Sequence, residues 1–213
     1  MKISIPQMIE RISAVKRLLE KYISSKQLTF EEERDLVNFF IAYQNTNDLV
    51  EYALDGIRNT PDETLSEFTL LHQSSEELIR LCNDNMQALL AIDFKGDCEK
   101  HLKPFEQEYK TASEVATALW QKLQEISNRL DFMMESEDGY SELRKECDEI
   151  EDRYYKEHAR VEDLFERMRN EQAKVAAVYY FSFEMLFIII KKIDEISQSV
   201  IEDINNTTEE VQP

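Results

Sequence analysis

Three histidines (His72, His101, His158) and three cysteines (Cys82, Cys98, Cys147) are the side chains best suited to hold a transition metal or to attack a carbonyl near neutral pH. Their spacing argues against both. A di-iron helical bundle uses Glu-x-x-His, which puts both ligands on one helix face. Thr69, Cys98 and Tyr155 stand three residues before the histidines, so none has the required carboxylate. Cys98-x-x-His101 offers two soft ligands on one helix turn, but a structural zinc takes four. The ordinary expectation there is a surface thiol beside an exposed imidazole. Three isolated glycines cannot build a phosphate-cradling loop. With 44 acidic residues, carboxylate pairs arise by chance and carry no catalytic argument. No catalytic, cofactor-binding or metal-binding residue is singled out. The expectation is a chain that is not an enzyme and needs no cofactor.

Charge narrows the partners. The formal net charge is −19, and it is uneven. Residues 1–30 carry six Lys/Arg and two Glu, a net of +4, which leaves −23 on the other 183 residues. Such an acidic body repels nucleic-acid phosphates and anionic membrane surfaces, so neither is an expected direct partner. The same charge could mimic nucleic acid and occupy a basic groove, which makes an acidic inhibitor one alternative. The cysteines are odd in number and form no CxxC, which suits free thiols in a reducing compartment. The N-terminus lacks the continuous apolar stretch of a secretory signal, so the expected location is cytoplasmic.

The elements that carry these residues are helical. Only three Gly and four Pro in 213 residues leave few chain reversals, against roughly 7% and 5% in average proteins. An apolar stripe from Ile5 to Ile23 at i, i+3, i+4 spacing predicts a first helix from Pro6 to about Ser24. "TFEE" (Thr29 to Glu32) reads as a capping box opening a second helix, which "QNTND" (Gln44 to Asp48) could divide in two. "NTPDE" (Asn59 to Glu63) reads as a second box, with Thr60 as N-cap and Pro61 in the first turn. The helix it opens is expected to stop at Gly96, with the next beginning near Pro104.

The next two segments are periodic. Phe105, Tyr109, Ala112, Ala116, Leu119, Leu123, Ile126, Leu130 and Met133 alternate spacings of four and three without a polar interruption. After "ESEDGY" (Glu135 to Tyr140) the same alternation runs through Leu143, Cys147, Ile150, Tyr154, Glu157, Val161, Leu164, Met168 and Glu171. Folded back near Asp138–Gly139, the seams fall into register: Met133 meets Leu143, Leu130 meets Cys147, Leu119 meets Glu157, and Phe105 meets Glu171. An antiparallel coiled coil needs such a register. Arms of this length would span about 45 Å at 1.5 Å per residue.

"KVAAVYYFSFEMLFIIIKK" (Lys174 to Lys192) follows with no stop signal, as one long helix or two joined by a kink. Its apolar stretch, Val175 to Ile190, is 16 residues interrupted by Ser182 and Glu184. A spanning helix needs about 20. Being apolar all round, it reads as a helix surrounded by others. If so, Glu184 must find a partner or lie at an edge.

The fold expected is all-α. A helical body (1–104 with 173–204) carries a long antiparallel coiled-coil hairpin (105–172, with arms of about 105–137 and 140–172). The second arm continues into a buried apolar helix, and residues 205–213 form a disordered acidic tail. The function expected is that of a scaffold, adaptor or accessory subunit that binds protein partners, self-association included. Candidate contact residues are Glu135, Asp138 and Tyr140 at the tip, Trp120 beside the seam, and Glu157, a polar seam position able to fix register. A second alternative is a membrane-active helical protein inserting Val175–Ile190, in the manner of helical pore-forming toxins.

Overall fold

A computed structural model describes residues 4–210, with side chains through residue 207. Among these residues there are eight helices and no strand: α1 (Ile5–Ser25), α2 (Phe30–Tyr43), α3 (Asn47–Asn59), α4 (Pro61–Asp84), the single turn α5 (Met86–Leu89), α6 (Phe94–Asp131), α7 (Tyr140–Tyr179) and α8 (Phe183–Glu210). The fold is all-α. The chain divides into two compact units, one built from the residues up to Asp97 and from Ala177 onward, the other Cys98–Ala176. These limits lie a few residues outside the expected 105–172. The reason is that the pairing of α6 with α7 extends past the heptads, through Cys98 beside the Val175 carbonyl and His101 beside Glu171.

In the first unit, the stripe of α1 buries Ile5, Met8, Ile12, Val15 and Leu19. Pro61 opens α4 as expected, but the Thr60 side chain makes no capping bond. The Thr29–Glu32 capping box is complete: the Thr29 hydroxyl accepts the Glu32 N–H, and the Glu32 carboxylate accepts the Thr29 N–H at 2.9 Å. "QNTND" does divide the helical stretch, giving α2 and α3. Gly56 lets α3 approach α4 closely, because a Cβ there would stand 2.3 Å from Thr64 Oγ1. The most extensive interface is α4 on α8. Phe68, Leu71 and Leu78 of α4, and Leu186, Ile190 and Ile193 of α8, are fully buried there. Buried Ser75 and Ser197 bond back to the carbonyls of Leu71 and Ile193, which satisfies their hydroxyls within their own helices. His72 Nδ1 meets Asp194 Oδ1 at 2.8 Å across this interface, and Gln198 donates to the other Asp194 oxygen.

Four expectations need correction. Gly96 stops no helix; it lies in the first turn of α6, where Asp93 accepts its N–H at 2.9 Å. A side chain there would collide with that capping carboxylate. Pro104 does not begin a helix but sits inside α6, which forgoes one backbone bond. Cys98 is buried, not a surface thiol. The expected tail from Asn205 is helical as far as Glu210. Ile204 is only 4% exposed and anchors the turn, and the Thr207 hydroxyl bonds back to the Asp203 carbonyl. Residues 211–213 lie outside those described.

The apolar run is not one buried helix either. The chain breaks at Tyr180–Ser182, between α7 and α8. Phe181 turns inward there, edge-on to Phe94 at 5.0 Å between ring centroids and 5.6 Å from Phe40. Val178, Phe183, Leu186 and Ile190 are buried, whereas Tyr180 (78%) and Ile188 (62%) face solvent. The run has one core face and one outer face.

In the second unit, burial follows the two seams. Every seam position from Phe105 to Met133 and from Leu143 to Glu171 is buried or half-buried, and most residues between them are exposed. Leu123, Ile126, Leu130, Leu143, Cys147 and Ile150 form a cluster, with Leu119, Met133, Tyr140 and Tyr154 packed on it. Lys122 of α6 pairs with Glu146 of α7 at 2.8 Å.

Candidate functional site

The turn joining α6 to α7 is built by its own hydrogen bonds. The Phe132 and Met133 N–H groups bond to the Arg129 and Leu130 carbonyls, which closes α6 with a tight turn. The Glu137 N–H then bonds to the Met134 carbonyl at 2.9 Å, and the Tyr140 N–H to the Glu137 carbonyl. Gly139 takes φ +90°, a conformation that disfavours any side chain. Its carbonyl accepts the Leu143 N–H, which starts α7.

The result is an apolar knob on a turn whose backbone is held by hydrogen bonds. Met133, on the seam, packs on the cluster of the second unit, and its neighbours are turned away from it. Phe132 is 90% exposed and Met134 68%. Asp131, Glu135, Glu137 and Asp138 surround them, all exposed, and no basic residue lies between 131 and 140. Residues this apolar and this exposed, on an ordered turn, have no packing role within the unit. An exposed apolar group rimmed by charge is a candidate contact surface.

The five contact residues expected from sequence fall in different places. Glu135 and Asp138 lie on the rim of this turn. Tyr140 begins α7 but faces inward, against the cluster, so it supports the knob rather than extends it. Trp120 is 45% exposed, with its ring 5.2 Å from Tyr154, and covers the seam from one side. Glu157 is half-buried and held by Arg160 at 3.2 Å, while Arg160 also reaches Glu108 of α6 at 3.9 Å. The charge in the seam is thus turned to its edge and neutralised. The other acidic seam residue, Glu171, sits between Lys174 Nζ (2.6 Å) and His101 Nε2 (3.0 Å). Hydrogen bonds from Lys174 and then His101 hold its carboxyl below the usual range.

Sequence reasoning missed Phe132 and Met134. The signal was present: both are large, apolar and one residue off a seam position, so neither can face the partner helix.

Two further surfaces lie on the first unit. Tyr180, Met185 and Ile188 are exposed beside Glu184, Lys191 and Lys192. Glu184 is exposed as well; a hydrogen bond from the Ser182 hydroxyl, then one from its own N–H, keeps its carboxyl ionised to lower pH than usual. Along α1 and α2 runs a groove of about 440 Å³, within the size range of ligand pockets, about 300–1,000 Å³. Ala14, Val15, Leu18 and Phe39 form its apolar lining, and Arg11, Arg17, Asp35 and Asn38 its polar rim.

Reactive groups are withdrawn from solvent. All three cysteines are free and buried, and burial pushes the Cys82 thiol up to about 12. Among the described residues no group of three or more His, Cys, Asp or Glu is placed to hold a metal ion. No single helix there is long and apolar enough to cross a membrane; α7 and α8 reach that hydropathy only together, across their break. No family model, curated protein or solved structure matches the chain.

Proposed function

We propose that this chain is a non-enzymatic helical interaction protein, a scaffold, adaptor or accessory subunit. Its second unit works as an antiparallel coiled-coil hairpin whose connecting turn docks on a protein. The observation that carries this reading is Phe132, 90% exposed on a turn held by its own hydrogen bonds. A turn whose backbone is already held loses less freedom on binding than a floppy loop, so more of the burial appears as affinity. Aromatic residues that bury fully at the centre of a small contact are the usual hot spots. Three unpaired thiols suit a reducing compartment, and we assign the protein to the cytoplasm on that ground.

The test is a pull-down from the cells that make the protein, comparing wild type with the double variant Phe132→Asp, Met134→Asp. A partner present with wild type and reduced at least tenfold with the variant supports the reading. Equal recovery by both removes the turn from it.

A second reading rests on Tyr180, Met185 and Ile188, the exposed apolar face next to Lys191 and Lys192. It would insert at a membrane surface with the lysines at headgroup level. Release of dye from liposomes by wild type, abolished by Ile188→Asp, supports insertion; no release excludes it.

A further inference from the structure

The turn and the groove have complementary chemistry. The turn presents two apolar side chains, Phe132 and Met134, beside four acids, with no base between residues 131 and 140 and Arg129 just before them. The groove on α1 and α2 presents an apolar lining within a rim containing Arg11 and Arg17. Its α1 wall lies within residues 1–30, which carry a net charge of +4, while its α2 wall contributes Asp35. The neighbouring cations of α1 are already engaged, Lys16 with Glu77 at 2.8 Å and Lys21 with Glu32. Arg11 lies over the Tyr43 ring at 5.8 Å. Arg17 is exposed and has no ion-pair partner among the described residues. Asp35 is the single acid on the rim, so the lining residues keep a net positive charge.

Building on the interaction reading above, we infer that the partner of the turn is a second copy of this chain. Phe132 and Met134 of one copy enter the α1–α2 groove of another, and the acids around them meet Arg17. The contact is heterologous: two different surfaces meet, so after one contact one copy keeps a free groove and the other a free turn. Assembly therefore continues until it closes into a ring, or runs on as an open chain. One knob in one groove is a small interface of the kind seen in transient encounters, so the expected affinity is micromolar or weaker. The charges steer the encounter, and added salt weakens it.

Sedimentation velocity on the full chain, from micromolar to millimolar concentration, tests this with two variants. Phe132→Asp disables the turn and leaves the groove intact. Arg17→Glu reverses the groove and leaves the turn intact. Both positions are exposed, and circular dichroism checks that each variant is folded. Wild type should grow in mass with concentration and shrink again with salt. Each variant alone should associate at least tenfold more weakly. Mixed one to one, the variants should form a dimer and nothing larger, because only one competent turn and one competent groove remain.

A wild type that stays monomeric throughout overturns the inference. So does either variant assembling like wild type, or a mixture that stays monomeric. A monomeric wild type that still loses a different protein in the Phe132→Asp, Met134→Asp pull-down sinks self-association while the interaction reading stands.

Discussion

Phe68 in α4 and Leu123 in α6 are both core residues, yet the first is 0% exposed and the second 9%. The contrast extends to the units that hold them. In the first unit a residue can be enclosed by several helices, and the core tolerates polar inclusions such as Ser75, Ser197 and the His72–Asp194 pair. In the second unit, between Phe105 and Glu171, a seam between two helices is the core, and every residue off the seam meets water. A two-helix core cannot enclose a large side chain fully, and it has no place for a charge except its edge. That is where Glu157 and Glu171 are found, each held by a basic neighbour. The same geometry explains Phe132 and Met134: at the end of a two-helix seam there is no third element to cover them.

Truncation should reveal the contrast most strongly. Phe68→Ala is expected to cost about 4 kcal/mol, and Leu123→Ala, at a site open to water on one side, about 2 kcal/mol. Urea denaturation read by circular dichroism gives both values. Equal costs would mean that the two cores are equally enclosed.

How far the sequence went differs between the units for the same reason. The seam positions from Phe105 to Met133 and from Leu143 to Glu171 were legible one by one, because two-helix burial repeats with a fixed period and needs no other information. In the first unit the stripe of α1 and the Thr29–Glu32 box were legible, since each depends on a few neighbouring residues. The break at Tyr180–Ser182 was not. It exists because Phe181 packs between Phe40 and Phe94, which are distant in sequence. Gly96 looked like a stop because glycine favours both the ends of helices and close approaches; only the position of Asp93 decides between them. For the candidate site, the acids of the turn were read and its apolar centre was passed over. Phe132 and Met134 flank the last seam position, Met133, and were not singled out because attention went to the seam itself and to the charges beyond it.

Smaller effects sharpen the same comparison. Gly139→Ala places a side chain at φ +90° with nothing within 4 Å of the new Cβ, so the cost is conformational alone. It should be about 1 kcal/mol, appear in the unfolding of the second unit, and leave hydrogen-exchange protection of α4 and α8 unchanged. A loss of protection in α4 would show that the two units do not unfold separately.

Glu171→Gln tests the edge charge. The folded carboxyl titrates below its ordinary range, because Lys174 and His101 favour the ionised form. Its stabilisation is therefore fully present above the unfolded value, about 4.3, and is lost as pH falls through the lower folded value. The exposed lysine screens the pair, so less than about 1 kcal/mol is at stake at neutral pH. Wild type should exceed the variant in melting temperature at pH 7, and the gap should shrink as pH falls below the ordinary carboxylate range. A gap that does not change with falling pH would assign the effect to packing instead of charge.

The central claim is that the turn carrying Phe132 is a docking surface, in contrast to the flanks of the helices beside it. Photo-crosslinking in the producing cells tests it most directly. A benzophenone side chain is placed at position 132 in one variant and at the exposed flank position 107 in another. The expected result is a discrete adduct of higher mass from position 132 and none from position 107. No adduct from position 132, or equal adducts from both, would contradict the account.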